Sequence, residues 1–181
     1  MLIISHYLHQ LHLCVRCHTL LTAKNLHAQI IKASLEHCGP LPNTLIDGYS
    51  KGGLIQDSLH LFDEMPHRDH VSWASILTAH NQANLPHLTL SMFPSLLKDD
   101  GLGPDHFVLS SLVKACTTLG AIRKGNQVHA HFVLSPFRDD NVVKSSLADM
   151  YAKCGLLARG VFDSISLKNS VSWTAMIFEY A

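Results

Sequence analysis

The chain has 181 residues, of which 47% are hydrophobic and 15% charged, a composition that excludes an intrinsically disordered polypeptide. Lysine and arginine together number 14, as do aspartate and glutamate, so no net positive field indicates DNA or another partner held mainly through phosphates. The five cysteines are an odd number and stand singly, which argues against a secreted disulfide framework.

The first 38 residues are predicted to be helical. Histidines interrupt the apolar residues of MLIISHYLHQLHLC, so the segment forms neither a membrane span, which needs about 18 apolar residues, nor the apolar core of a secretory signal. It is no clear transit peptide either, because Arg16 is the only basic residue before Lys24. We expect no membrane partner, and we expect this segment to belong to a helical array.

The next residues have the pattern of an antiparallel helical hairpin. Apolar residues follow helical spacing from Leu45 to Tyr49, and the glycine pair Gly52-Gly53 then ends the helix, because glycine tolerates the left-handed conformation found there. A second apolar series runs from Ile55 to Met65. Its spacing of three and four places it on one face of a second helix.

A further hairpin is predicted from Val71 to about Ala83 and from Leu85 to about Lys98. Pro94 lies inside its second helix, where proline removes a hydrogen bond and clashes with the preceding turn at a cost of about 3 kcal/mol. We expect a kink or an early helix end there. The remaining predicted helices are Phe107 to Cys116, Ile122 to Leu134, Val142 to Lys153, Leu156 to about Ile165, and one that begins at Val171.

The chain repeats itself at a distance of 102 positions. NTLIDGYSKGGLIQDSLHLFDEMPHRDHVSW matches SSLADMYAKCGLLARGVFDSISLKNSVSW, with Tyr49 and Tyr151 102 positions apart, as are His27 and His129. That distance is three periods of about 34 residues, which is typical of a solenoid of stacked helical hairpins. The recurrence of the histidine indicates a packing role.

The second copy lacks two residues. Nine steps separate Gly53 from Phe62, but only seven separate Gly155 from Phe162. At about 100° per residue, the loss rotates the remaining helix face by about 200°. We expect that Phe162 keeps the packing of Phe62 only with a distorted turn, and that this repeat is the least stable.

Two residue patterns near the N-terminus could indicate a haem site or a zinc site. Cys14, Cys17 and His18 spell the attachment motif of a c-type haem, but the two cysteines align with Val113 and Cys116, small apolar residues of a first helix. A zinc site would need a cysteine pair or further ligands to complete a tetrahedral set. We expect no metal and no cofactor at these residues or at the nearby histidines His6, His9 and His12.

These repeats resemble those of the plant pentatricopeptide repeat family, in its subclass of long, short and standard motifs. The two matching segments resemble short motifs running into a standard one, and SSLVKACTTLGAIRKGNQVHAHFV resembles a long motif. Tetratricopeptide repeats share the length, but their aromatic pattern does not fit VSW at the junctions. The resemblance implies an all-α, right-handed superhelical solenoid of antiparallel helix-turn-helix repeats of about 31–36 residues.

The resemblance also implies repeat boundaries. Short repeats would span residues 39–69 and 141–169, the latter with the two-residue deletion. A standard repeat would span 70–105 and a long repeat 106–140. The ends would be a partial long-type repeat at 1–38 and the start of a truncated repeat at 170–181.

The function that the resemblance implies is binding of single-stranded RNA, one base per repeat. Two positions would face the base edge, the fifth and the last residue of each motif. Asn43 with Asp69 would favour uracil, and Ser145 with Asn169 would favour adenine.

In the other motifs, the fifth and last residues are expected to recognise a base less well. Ala74 with Asp105 would read poorly, because alanine has no hydrogen-bonding group. Ser110 with Asp140 is formally a guanine pair, although long motifs read unreliably in the family. Thr174 would be the fifth residue of the last motif.

The second residue is apolar in the four motifs that begin at residues 70, 106, 141 and 170, namely Val71, Phe107, Val142 and Val171. Such side chains could sandwich bases, since every base has a face on which to stack. The alternative is that they are ordinary core residues of the first helices. The sequence alone leaves both interpretations open.

No catalytic residue is expected. The deaminase strings H-x-E and P-C-x-x-C, found at the end of many proteins of this subclass, do not occur in the 181 residues. The resemblance therefore implies organellar RNA processing or C-to-U editing through a partner that supplies an editing domain, in the mitochondrion by preference or in the chloroplast. The alternatives are a protein-interaction scaffold of helical repeats and a non-functional truncated fragment.

Overall fold

The computed structural model describes residues 2–17, 20–35, 38, 40–99, 103–155 and 159–180. All regular secondary structure in these ranges is helical, which confirms the all-α prediction. The chain divides into two compact units, Met1–Asn84 and Leu85–Ala181. The division falls inside the predicted standard repeat, after its first helix.

The first unit contains five helices that alternate between two layers. Three of them, α1, α3 and α5, pack side by side, while α2 and α4 pack against their chain neighbours. The helices are α1 (Leu2–Cys17), α2 (Leu20–Lys32), α3 (Leu41–Lys51), α4 (Ile55–Asp63) and α5 (His70–Gln82).

The second unit repeats this arrangement. Helices α7, α9 and α11 pack side by side, and α8 and α10 pack against their neighbours. The helices are α6 (Pro86–Leu96), α7 (His106–Leu119), α8 (Ile122–Leu134), α9 (Asn141–Lys153), α10 (Arg159–Asp163) and α11 (Ser170–Tyr180). Each unit thus has the stacked hairpins of a helical repeat protein, as the 34-residue period predicts.

Left-handed residues separate the helices of the hairpins. Gly53 follows α3 with φ of 80°, as predicted from the glycine pair, and Gly155 follows α9 with φ of 70°. Asn84 takes the same conformation after α5, with φ of 59°, because asparagine tolerates the left-handed region better than other residues with a Cβ.

Pro94 lies near the end of α6. The helix ends at Leu96, two residues before the expected end at about Lys98, and the proline is exposed. The helix therefore does not end at Pro94, and the expected kink stays a prediction. The helix includes Pro94 itself, which a position near the C-terminus tolerates better than the middle of a long helix.

The two-residue deletion leaves the aromatic contact of this repeat in place. Helix α10 is described from Arg159 to Asp163. Phe162 nevertheless packs edge-to-face on Trp173 at 5.1 Å and 71°, as Phe62 packs on Trp73 at 4.8 Å and 72°. Residues 156–158, where the expected distortion would fall, lie outside the described residues, and the lower stability of this repeat stays a prediction.

Candidate nucleic-acid interface

The last residue of each predicted short motif caps the first helix of the next predicted motif. The Asp69 carboxylate accepts a hydrogen bond from the Ser72 backbone N–H at 2.7 Å, and the Ser72 hydroxyl oxygen accepts one from the Asp69 backbone N–H at 3.3 Å. Asn169 and Ser172 make the same two bonds at 2.9 and 3.0 Å. These reciprocal bonds form a capping box, which satisfies helix N–H groups that otherwise have no partner.

The other two last residues also cap helices. Asp105 accepts from the backbone N–H of Val108 at 2.8 Å, and Asp140 accepts from those of Val142 and Val143 at 2.8 and 3.0 Å. The sequence interpretation missed this structural role. Its signal was present, since aspartate and asparagine immediately before an apolar helical series are favoured N-caps.

Asn43 and Asp69, the fifth and last residues of the first short motif, are in direct contact. Burial alone would raise the pKa of Asp69, but hydrogen bonds from Ser72, the Asn43 side chain and the Val71 backbone outweigh it and lower the pKa below its usual range. The carboxylate is therefore ionised at neutral pH. Because a carboxylate only accepts hydrogen bonds, the NH2 group of Asn43 must face it.

The remaining atom of the Asn43 amide has no protein partner. Its Oδ1 is buried and accepts no hydrogen bond from the described residues. A buried acceptor without a donor costs about 1–3 kcal/mol. The first short motif therefore holds its pair of side chains in one orientation at some cost in stability.

Ser145 and Asn169, the corresponding pair of the second short motif, are also joined. Asn169 Nδ2 donates to Ser145 Oγ at 3.1 Å, and the same hydroxyl donates to the Asn141 carbonyl at 2.7 Å. The two residues are therefore in contact despite the two-residue deletion. The structure brings both predicted short-motif pairs into contact.

Ser110 and Asp140, the other predicted pair within one unit, are not joined by a hydrogen bond between their side chains in the part of the chain that the structure describes. Ala74 is half-buried on α5, in the first unit, whereas Asp105 lies in the second. Ser110 is half-buried on α7, while Asp140 caps α9. Thr174 is exposed on α11, where its hydroxyl donates to the Ser170 carbonyl at 2.7 Å.

The second residues of the motifs are exposed. Val71, Phe107, Val142 and Val171 have exposed fractions of 58%, 62%, 62% and 47%. The residues that follow them along the chain, Ser72, Val108, Val143 and Ser172, are fully buried. The alternative interpretation of these four side chains, as ordinary core residues, is therefore excluded, and each unit presents apolar side chains beside its capping residues.

The recurring histidines share one kind of partner. His27 Nδ1 lies 2.7 Å from the Tyr49 hydroxyl, and His129 Nδ1 lies 2.8 Å from the Tyr151 hydroxyl. Both ring pairs are edge-to-face with centroids 5.6 Å apart. These bonds join α2 to α3 and α8 to α9. Each therefore fixes the helix that carries Asn43 or Ser145 against the preceding helix.

The His129–Tyr151 pair is joined by a hydrogen bond to a third residue. Tyr151 donates its hydroxyl proton to Asn126 Oδ1 at 3.0 Å, so it accepts from His129, whose Nδ1 carries the proton. Burial lowers the pKa of His129 and raises the pKa of Tyr151. Both residues are therefore neutral near pH 7.

The described residues contain no group of three or more histidine, cysteine or acidic side chains suited to a metal ion. His18 and the side chain of Cys17, both part of the haem-like motif, lie outside them. Over the same ranges, every helix is too short or too polar to cross a bilayer.

Comparison with known proteins yields one family. Residues 42–70 match the family model of the PPR repeat. A pentatricopeptide repeat-containing protein of Arabidopsis thaliana is 38% identical over 160 residues, which are 87% of this chain and 19% of that protein. A mitochondrial member from the same plant is 32% identical and a chloroplastic member 35% identical, each over 170 residues, or 93% of this chain and 27% of the relative. The chain thus spans about a fifth to a quarter of the length of these curated relatives.

Proposed function

The chain belongs to the pentatricopeptide repeat family, and from that premise we propose that it binds single-stranded RNA through the fifth and last residues of its motifs. The observation that supports this most directly is the contact within both short-motif pairs, Asn43 with Asp69 and Ser145 with Asn169. Two residues that read one base edge must lie together, and these do. Their pairing also limits the conformations available to each side chain before RNA binds.

Exposed apolar side chains support the same proposal. Val71 follows Asp69 by two residues, and Val171 follows Asn169 by two, and both are exposed. Base stacking on such a side chain contributes to binding without selecting a base. The reading pair then selects the base that the stacking side chain holds.

The proposed code is specific enough to test. Asn43 with Asp69 favours uracil, Ser145 with Asn169 favours adenine, and Ser110 with Asp140 favours guanine, while Ala74 with Asp105 shows little preference. With one base per repeat, two repeats separate the short motifs. The best short RNA therefore carries uracil and adenine with two nucleotides between them.

The affinity of this chain alone should be low. Two good readers contribute roughly 2–6 kcal/mol in total at about 1–3 kcal/mol each, whereas association costs at least about 4 kcal/mol. The balanced charge adds no long-range attraction to phosphates. We expect weak binding that is detectable only at high protein concentration.

Fluorescence polarisation of labelled eight-nucleotide RNAs tests the proposal. One set contains RNAs with U-N-N-A or with the reverse order, A-N-N-U. In a matched set, C replaces both U and A. Binding of the first set should be weak, should prefer one order, and should decrease with Asn43→Ala but not with His60→Ala on the exposed surface of α4. Nanomolar affinity would contradict the energetic argument, and equal binding of the matched set would contradict the base code.

We further propose an organellar location, the mitochondrion in preference to the chloroplast. Relatives carry both names. The chain would take part in RNA processing or C-to-U editing by positioning RNA, with the deaminase supplied by a partner protein. Recovery of organellar transcripts and of a deaminase-containing protein with the tagged chain tests this, and recovery insensitive to added poly(U) and A/U-rich RNA would favour a protein scaffold.

A further inference from the structure

A cavity of about 560 Å3 lies within the second unit. It is lined by α8, the segment between α8 and α9, helix α9 and helix α10, and it opens to solvent. Its apolar walls include Phe132, Val133 and Val161. This volume falls in the range of about 300–1,000 Å3 that is usual for small-molecule sites, and apolar walls with a few polar groups are typical of them.

A buried cation lies in the wall of this cavity. Lys144 is 8% exposed, and its Nζ donates to the Ser164 carbonyl at 3.0 Å. Its only carboxylate neighbour among the described residues is Asp139, at 3.5 Å, whose side chain is 88% exposed. An ammonium group has three protons to donate. The bonds to Ser164 and Asp139 use two of these protons, so one is left to donate to a ligand in the adjacent space.

A second cation lies near the cavity. Arg138 is exposed and lines the cavity, and its Nε is 3.9 Å from Asp139. Two cations therefore face the space with one exposed carboxylate between them. The charge of the site favours an anionic ligand.

The first copy of the repeat has different residues at these positions. By the alignment that pairs Phe62 with Phe162, Gly160 replaces His60 and Val161 replaces Leu61. The second copy thus has smaller side chains on the helix that borders the cavity. The space arises where the chain departs from its own repeat.

The charges differ between the copies in the same way. By the alignment that pairs Tyr49 with Tyr151, Lys144 replaces Pro42 and Arg138 replaces Glu36. Both changes make this site more positive. A structural role common to the repeats does not explain them, because the first copy lacks both cations.

We propose that this cavity binds a small organic anion with an apolar body. The anionic group, a carboxylate or sulfonate, accepts a hydrogen bond from Lys144 Nζ. The apolar body packs between Phe132 and Val161. The site is separate from the Ser145–Asn169 pair, since its walls come from α8, α10 and other residues of α9.

Fluorescence titration of the whole chain with 1-anilinonaphthalene-8-sulfonate tests the proposal, with uncharged N-phenyl-1-naphthylamine as the matched probe. Lys144→Met should weaken binding of the sulfonate about tenfold, the loss expected for one charge-assisted bond, and leave the neutral probe unchanged. Lys153→Met, which removes the same charge from an exposed position on α9, should change neither. Gly160→His with Val161→Leu should weaken both probes.

An added Cβ at Gly160 meets no atom within 4 Å, so a side chain at this position starts without a steric clash. Circular dichroism confirms that each variant is helical before titration. Sulfonate binding that is reduced equally by Lys144→Met and Lys153→Met would overturn the proposal, since it would reflect net charge alone. Unchanged binding after Gly160→His with Val161→Leu would overturn it as well.

Discussion

Asn169 donates a hydrogen bond from its side-chain nitrogen to the hydroxyl of Ser145 at 3.1 Å, across 24 residues of sequence. The same Asn169 side chain accepts from the backbone N–H of Ser172. One residue therefore both caps a helix and orients its partner. The Asn43–Asp69 pair has this dual role as well.

The change Asn169→Asp should alter base preference without unfolding the chain. Aspartate is as good an N-cap as asparagine, so α11 keeps its first turn. Under the proposed code the preference of this motif moves from adenine to guanine. Polarisation with U-N-N-A and U-N-N-G RNAs measures the change, and an unaltered ratio of the two affinities would contradict the assignment of Ser145 and Asn169.

The capping role of Asp69 can be separated from its charge. Asp69→Ala should lower the free energy of unfolding by about 1 kcal/mol, the usual cost of losing an N-cap. Asp69→Asn should cost less, because asparagine also caps. Urea denaturation compares the two, and equal losses would show that the charge, and not the cap, stabilises the start of α5.

The pKa of Asp69 predicts an acid-dependent difference between these proteins. Its folded pKa lies below the usual 3.8, so the stabilisation is present above that pH and is lost as pH falls through the folded value. The difference in melting temperature between the parent chain and Asp69→Asn should therefore be largest near pH 5 and shrink toward pH 2. A difference in melting temperature that grows on acidification would contradict the lowered pKa of Asp69.

Removing the Tyr151 hydroxyl should be more costly than removing that of Tyr49. Tyr151 bonds both Asn126 and His129, whereas the bond described for Tyr49 is the one to His27. Since each lost bond costs about 1 kcal/mol, Tyr151→Phe should lower the free energy of unfolding by about 2 kcal/mol and Tyr49→Phe by about 1 kcal/mol. Denaturant titration tests the order of the two losses.

His129 predicts a second pH effect. Burial depresses its folded pKa below the usual 6.5, so the folded chain disfavours the protonated ring. Stability from this residue is present above pH 6.5 and falls as the pH drops toward the folded pKa. Thermal melts of the parent chain and His129→Asn from pH 8 to pH 5 should converge on acidification, whereas parallel curves would exclude a contribution from His129.

Much of the helical arrangement was accessible from local pattern. Helix α8 has the predicted bounds, Ile122–Leu134, and α9 starts one residue before the predicted Val142. Apolar spacing and helix-ending glycines are signals formed by residues that are close together in the chain. They can therefore be recognised from the sequence alone. The pairing of Asn43 with Asp69 was expected from family resemblance and not from spacing.

Other features depend on packing between helices. Val142 and Val143 are equally apolar in the sequence, yet the first is exposed and the second buried. The contact of Phe162 with Trp173 survives a deletion that should have turned the ring away. The cavity beside Lys144 arises from small side chains on a different helix.

The repeat period was sufficient to predict the fold class, because helix formation and hairpin length are set by residues close together in the chain. The exposure of Val71 and its equivalents, the bonds of His27 and His129, and the environment of Lys144 required the stacked helices. Those properties come from side chains that are 20 or more residues apart in sequence, as Lys144 and Ser164 are. Only their packing against one another decides which groups are buried, paired or left facing solvent.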